Sequence, residues 1–166
     1  LYADIDKFDP SKYKFNYSKV SLLDKWIISE LNTLIKFVDE GLDNYMITET
    51  ARKIEEFVDK LSNWYVRRSR ERFWGSSMDA DKVAAYTTMY EVLSKLTRVI
   101  APYVPFMAEM IYQDIERPFF ANAEESIHLC QFPKFNKKYM DEEIEHNMNL
   151  VLDIVVLARA ARNKVN

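Results

Sequence analysis

Glycine and cysteine are scarce in this chain of 166 residues, which contains two glycines and one cysteine. Hairpins and β-sandwiches use glycine in their turns, whereas long helices do not need it, so the scarcity favours helices. The single Cys130 cannot close an intramolecular disulfide, which is typical of a protein from the reducing cytoplasm. No stretch reaches the ~18 uninterrupted apolar residues of a membrane span. The sequence therefore predicts a helical, cytoplasmic protein that does not enter a membrane.

An excess of positive charge is also missing, because 23 Lys and Arg face 26 Asp and Glu and leave a formal net charge of −3. The field of the whole molecule gives no general attraction to DNA or RNA, so any contact with nucleic acid must be local. The composition, 48% hydrophobic and 30% charged, is that of a globular domain. The chain begins at Leu1 rather than Met and reaches Asn166 without a helix stop signal, so we expect it to be part of a longer protein.

Catalytic and metal-binding motifs are absent from the sequence. It contains no glycine-rich phosphate loop, no nucleophile elbow and no Cys/His set at metal-ligand spacing. The nearest candidate is Glu143 with His146, a spacing that di-iron bundles use for two ligands. Such a site needs a second pair, and the only other histidine, His128, has no glutamate three residues before it. We therefore expect no catalytic residue, metal or cofactor in this chain, and interpret Glu143 and His146 as part of a solvated helix start.

Apolar residues recur at intervals of three and four in the first half of the chain, which predicts two helices. Ser21 and Asp24 form a capping arrangement for a helix over roughly 21–43. Thr48 is expected to cap a second helix, which continues until Gly75. The residues expected to face the core are Leu23, Ile27, Leu31, Leu34, Ile35, Val38 and Leu42 in the first helix and Ala51, Ile54, Val58, Leu61 and Tyr65 in the second.

Three further helices are predicted from capping residues and prolines. The third begins at Asp79 and is stopped by Pro102, and a short fourth begins at Pro105. The last helix is capped by Asp141 and ends in basic residues.

Two segments lack the helical period. Residues 1–20 read as a strap whose aromatic side chains are pinned to the bundle, and the alternation at 126–129 allows an extended piece. The resulting prediction is an all-α, up-and-down bundle of four long helices and one short helix over 21–166.

A short basic and aromatic segment distinguishes residues 61–74 from the acidic background, with four arginines and one glutamate between positions 67 and 72. On a helical wheel Trp64, Arg67, Arg70 and Trp74 share a face about 140° away from the apolar stripe. Unpaired RNA bases stack on indole and guanidinium planes, while arginine forks bind phosphate. These residue types together are typical of a site for single-stranded RNA.

A structural interpretation of the same segment stays open at this point. Tryptophan in a helical bundle is most often packed against a neighbouring helix. Arginines are commonly paired with acidic side chains, for which Asp24, Glu30 and Glu56 are the candidates. The four methionines at 107, 110, 140 and 148 are interpreted as core filler.

The segment 61–74, LSNWYVRRSRERFW, resembles the signature helix of the isoleucyl-tRNA synthetases, which are class Ia aminoacyl-tRNA synthetases. The other landmarks of that family stand in the same order: YADIDKFDP at 2–10, DKWIIS at 24–29, APYVPFMAE at 101–109, SIHL with FP at 126–133, and ARAARNK at 158–164. The resemblance covers nearly the whole chain. Valyl-tRNA synthetases have a similar layout, but their version of this helix is usually more acidic.

This resemblance implies an anticodon-binding domain that recognises the anticodon stem-loop of isoleucine tRNA. Residues 1–20 would be the strap that leads from a catalytic domain of the same polypeptide, where ATP and magnesium are used to charge the tRNA. This chain itself would not aminoacylate. The predicted RNA-binding residues are Trp64, Arg67, Arg68, Arg70, Arg72, Trp74, Arg159, Arg162 and Lys164. The alternatives are the corresponding domain of a valyl-tRNA synthetase and a helical protein-interaction bundle that does not bind RNA.

Overall fold

The computed structural model describes residues 2–165, apart from the side chain of Val165, and these residues form seven α-helices and no β-strand. The helices are α1 (Tyr2–Ile5), α2 (Leu22–Asp43), α3 (Ile47–Asp59), α4 (Arg70–Trp74), α5 (Ala80–Ile100), α6 (Pro105–Ile115) and α7 (Glu142–Val165). A π-helical segment, Lys60–Val66, lies between α3 and α4. The prediction of an all-α bundle is confirmed. Within the described part of the chain, no helix combines the length and apolar character needed to cross a bilayer.

Three of the predicted helix starts are confirmed by their caps. The Ser21 hydroxyl accepts a hydrogen bond from the Asp24 amide at 3.2 Å, and the Asp24 carboxylate accepts one from the Ser21 amide at 2.9 Å. Asp79 accepts from the Lys82 amide at 2.8 Å, and Asp141 accepts from the Ile144 amide at 3.0 Å. Each side chain satisfies an amide that the first helical turn leaves without a partner.

The predicted cap at Thr48 is wrong, because α3 already begins at Ile47 and its N-cap, Met46, makes no side-chain capping bond. The turn between α2 and α3 is instead fixed by Thr50, whose hydroxyl donates to the Met46 carbonyl at 2.8 Å. Gly41 makes this close approach possible, since a Cβ there would lie 2.3 Å from Cγ2 of Thr50.

The second predicted helix is also interrupted, and its apolar stripe is partly wrong. Ala51 and Val58 are exposed, whereas Phe57 is buried. The next buried residues recur every four positions, at Leu61, Tyr65, Ser69 and Phe73. An α-helix turns once per 3.6 residues, so a strict spacing of four rotates these side chains away from the core, while the wider π turn keeps them facing it.

Helix α2 lies at the centre of the bundle and contacts α3, α5 and α7. Its buried apolar residues are Trp26, Ile27, Ile28, Leu31, Leu34, Ile35 and Val38. Their stripe is broad enough to face three neighbours, as expected for a helix in the middle of a bundle. The same helix carries the buried Asp24 in its first turn.

The segments outside the long helices differ in how well they were predicted. The extended piece expected at 126–129 is wrong, because Ile127–Leu129 is a 3₁₀ turn whose Ser126 cap and Ile127 amide both donate to Glu109. In the strap, the predicted aromatic contacts with the bundle are confirmed: Phe8 lies 5.0 Å from Tyr86, and Tyr17 stacks on Tyr139 at 4.6 Å. The strap therefore lies along the bundle surface.

Candidate RNA-binding site

Three of the predicted arginines are exposed beside each other on the surface. Arg67 and Arg68 follow the π-helical segment, the backbone bends at Ser69, and Arg70 is the first residue of α4. None of the three pairs with an acidic side chain of residues 2–165. Their guanidinium groups are therefore available to an external anion.

Trp74 lies exposed at the end of this segment, with 54% of its surface accessible. The guanidinium carbon of Arg70 lies 5.4 Å from the centre of the Trp74 ring, a cation–π distance. Tyr2 of the strap lies 6.2 Å away on a tilted plane. An indole, a guanidinium and a phenol thus stand together at the surface.

Trp64 has different surroundings from Trp74. It is half-buried against the main core, and the guanidinium carbon of Arg159 lies 5.8 Å from its ring centre. The prediction that both indoles share one face assumes a continuous α-helix. The segment is not one, because the chain passes from a π-helix through a bend to α4. The structure instead brings α7 to Trp64 through Arg159.

Arg72 differs from the other arginines because it is held by two carboxylates. Its Nη1 and Nη2 donate to Oδ1 and Oδ2 of Asp24 at 2.8 and 2.9 Å. Its Nε and Nη2 donate to Asp81 at 2.9 and 2.8 Å. The side chain is only 15% exposed. Its hydrogen-bonding groups are occupied within the fold, and its predicted contact with RNA stays a prediction.

The Asp24 carboxylate is fully buried and therefore strongly affected by its neighbours. Burial alone would raise its pKa, but hydrogen bonds from Arg72, Tyr65 and Ser21 outweigh that effect and lower the pKa below its ordinary value. Burial likewise acts to lower the pKa of Arg72, and the bonds to Asp24 and Asp81 raise it instead. Both groups are charged at neutral pH.

The alternative interpretation, in which the arginines pair with acidic side chains, is right for Arg72. Of the three acids considered as partners, only Asp24 binds an arginine of the segment. Glu30 pairs with Lys60 at 2.6 Å and Glu56 with Lys53 at 2.8 Å.

The remaining predicted residues lie at the end of α7, where Arg162 and Lys164 are exposed along with Arg159. Farther back on the same helix, Glu143 and His146 are exposed. Within the described residues, no three His, Cys, Asp or Glu side chains gather as a set that could hold a metal ion.

Two features of the site were missed by sequence reasoning. The hydroxyl of Tyr65 donates to Asp24 at 2.6 Å, although Tyr65 was recognised only as a core residue. Asp81 of α5 binds Arg72 although the two lie nine positions apart and on different helices. No periodic signal marks either contact, because both depend on how separate helices pack.

The amino-acid sequence matches a known family and several known proteins. The family described as "Anticodon-binding domain of tRNA ligase" matches residues 24–166. Isoleucine–tRNA ligases of Clostridium novyi (strain NT) and Clostridium tetani (strain Massachusetts / E88) are 51% and 50% identical over all 166 residues. That of Dehalococcoides mccartyi (strain CBDB1) is 48% identical over 163 residues, which are 98% of this chain. The chain spans only 16% of the length of each of these relatives. The chain belongs to the anticodon-binding domain family of tRNA ligases.

Proposed function

We propose that this chain binds the anticodon stem-loop of isoleucine tRNA through the exposed arginines Arg67, Arg68 and Arg70. The observation that carries the proposal is that these three cations are exposed and form no ion pair with an acidic side chain of the described residues, on a protein of net charge −3. The three arginines therefore do not serve to neutralise acidic groups of the described fold. A cluster of positive charge at the surface suits the phosphates of an RNA loop.

The aromatic side chains support the same function. Trp74 is exposed beside Arg70, and Trp64 lies under Arg159, so each indole is paired with a guanidinium. Splayed bases of a single-stranded loop stack on such planes while the arginines bind the backbone. Arg159, Arg162 and Lys164 extend the basic surface along α7 in this proposal, and Arg72 belongs to its structural support.

The relatives suggest the role of the longer protein. They are named isoleucine–tRNA ligases, and the function we propose for the whole protein is the ATP- and magnesium-dependent charging of isoleucine tRNA in the cytoplasm. Residues 1–20 would connect its catalytic domain to the bundle, which would bind tRNA without catalysing the reaction itself. Aminoacylation by the longer protein with isoleucine and not valine would support this assignment over the valyl alternative, and the reverse preference would contradict it.

Binding of a fluorescent anticodon stem-loop to the purified chain tests the RNA site. We expect Arg67→Ala combined with Arg70→Ala to weaken binding at least about tenfold, because two charge-assisted contacts are lost. Lys36→Ala is the control, since Lys36 lies on α2 away from the segment. Equal affinity for wild type, double variant and control would contradict the proposed site.

The remaining alternative, a protein-interaction bundle, predicts a different result in solution. Light scattering on the same sample would then show a stable oligomer, and a gel shift at moderate salt would show no retained tRNA. Membership of an anticodon-binding family favours the RNA-binding function. We expect retained tRNA in the gel shift.

A further inference from the structure

The buried carboxylate of Asp24 binds the two residues that flank the exposed arginines, Tyr65 before them and Arg72 after them. Oδ1 of Asp24 accepts hydrogen bonds from the Tyr65 hydroxyl at 2.6 Å and from Nη1 of Arg72 at 2.8 Å, and Oδ2 accepts from Nη2 of Arg72 at 2.9 Å. Tyr65 precedes the exposed arginines in the sequence and Arg72 follows them. Residues 66–71 therefore lie in the sequence between two side chains that donate to the same oxygen of Asp24.

The segment between these two anchors, residues 66–71, is mostly exposed, and its helical backbone is interrupted by a bend at Ser69. All of its residues except Ser69 are exposed, and the backbone changes there from π-helix to a bend before α4 begins. A surface segment that is broken by a bend and has one buried side chain opens locally more easily than a core helix unless its ends are fixed. The anchors are themselves held, because Ser21 donates to Asp24 at 2.8 Å and Asp81 binds Arg72.

We infer that Asp24, Tyr65 and Arg72 act together as a clamp that positions Arg67, Arg68 and Arg70 for the phosphates of an RNA loop. None of the three clamp residues needs to touch RNA. The clamp fixes the arrangement of the arginines before binding, so less conformational entropy is lost when the complex forms. This inference rests on the proposed RNA-binding function and assigns a positioning role to residues that the function itself does not require.

The variant Tyr65→Phe tests the clamp most cleanly. Tyr65 is fully buried and cannot contact a ligand, so its hydroxyl can affect RNA binding only through the structure around Asp24. The matched control is Tyr103→Phe, which removes a hydrogen bond to Thr50 at the same 2.6 Å distance near the α2–α3 turn, far from Asp24. Arg72→Lys is a second test, since it keeps the positive charge but loses the paired bonds to the carboxylate.

Two quantities are measured on each folded variant: affinity for the anticodon stem-loop and hydrogen exchange of residues 66–71. We expect Tyr65→Phe and Arg72→Lys to weaken binding about 3- to 10-fold, the effect of leaving one or two long side chains to be ordered by the ligand. Hydrogen exchange of the backbone amides at 66–71 should be faster in both variants than in the wild type. Tyr103→Phe should change neither quantity, even if its stability falls as much.

The outcomes separate the clamp from the proposed function. Wild-type affinity in Tyr65→Phe and Arg72→Lys, with weakened binding in the Arg67→Ala and Arg70→Ala double variant, overturns the clamp and leaves the RNA site in place. An equal loss of affinity in Tyr103→Phe overturns it as well, because the cause would be general stability. Unchanged binding in the double variant overturns both proposals.

Discussion

Asp24 is a buried charge whose hydrogen bonds make the stability of the fold depend on pH in acid. Its pKa is lowered, because the bonds from Arg72, Tyr65 and Ser21 outweigh the effect of burial. The ionised group therefore contributes stability that is fully present above the unfolded pKa of about 3.9 and is lost as the pH falls through the lower folded value. We expect the free energy of unfolding to fall below about pH 4.

Urea unfolding of wild type and Asp24→Asn across that range measures the contribution of this residue. The variant should be less stable at neutral pH by about 3–5 kcal/mol, because Arg72 loses its buried partner. Its stability should then fall less steeply on acidification, with the remaining slope coming from Asp6, Asp9 and Glu109, whose pKa values are also lowered. Parallel pH curves for the two proteins would contradict the assignment.

At the same scale, the sequence predicts residue types better than residue partners. Arg67, Arg68 and Arg70 are exposed as an RNA site requires, since charged residues rarely lie buried unless paired. Arg72 could not be separated from them, because its burial depends on two carboxylates brought from α2 and α5. Asp24 was recognised as a helix cap and a possible ion-pair partner, but not as an acceptor for Tyr65.

The helices themselves follow from local signals where those signals are strong. Ser21 with Asp24, Asp79 and Asp141 begin three helices as predicted, because capping depends on neighbouring residues only. The π-helical segment Lys60–Val66 could not be predicted. It results from the packing of Leu61 and Tyr65 against the core, and periodicity alone does not distinguish a π turn from an α turn.

The α2–α3 hairpin gives a test of close helix packing. We expect Gly41→Ala to destabilise the protein by about 1–2 kcal/mol, because overpacking costs more than the gain in helix propensity. The added Cβ would lie 2.3 Å from Cγ2 of Thr50, whose hydroxyl is held by the Met46 carbonyl.

Adding Thr50→Ser to Gly41→Ala removes the clashing methyl group, so the double variant should recover stability in thermal unfolding. Gly75→Ala is the control, since its Cβ would meet no atom closer than 3.7 Å. A Gly41→Ala protein as stable as wild type would show that the hairpin tolerates a wider separation.

For the whole molecule, the distribution of charge matters more than its sum. The net charge of −3 gives little long-range attraction for RNA, so affinity must come from the few local cations. On single strands each neutralised phosphate contributes about 0.7 to the slope of log affinity against log salt concentration. Three exposed arginines therefore predict a slope of about −2, and removing Arg67 and Arg70 should make it shallower, at about −0.7. An unchanged slope in the double variant would place the phosphate contacts elsewhere.

A second surface of the molecule is an alternative place for contact with RNA. Tyr45 and Phe106 are 88% and 90% exposed near the α2–α3 and α5–α6 turns, at the opposite end of α2 from Asp24. Exposed aromatic rings can stack on bases, but none of the predicted RNA-binding residues lies at those turns. Contact at that end would contradict the arginine site without contradicting membership of the family.

Photo-crosslinking from 4-thiouridine placed in the anticodon loop of isoleucine tRNA, followed by peptide mass spectrometry, distinguishes these two ends directly. The account predicts crosslinked peptides that contain residues 64–74 or 159–164. Crosslinks confined to peptides around Tyr45 and Phe106, with none in the arginine segment, would contradict it.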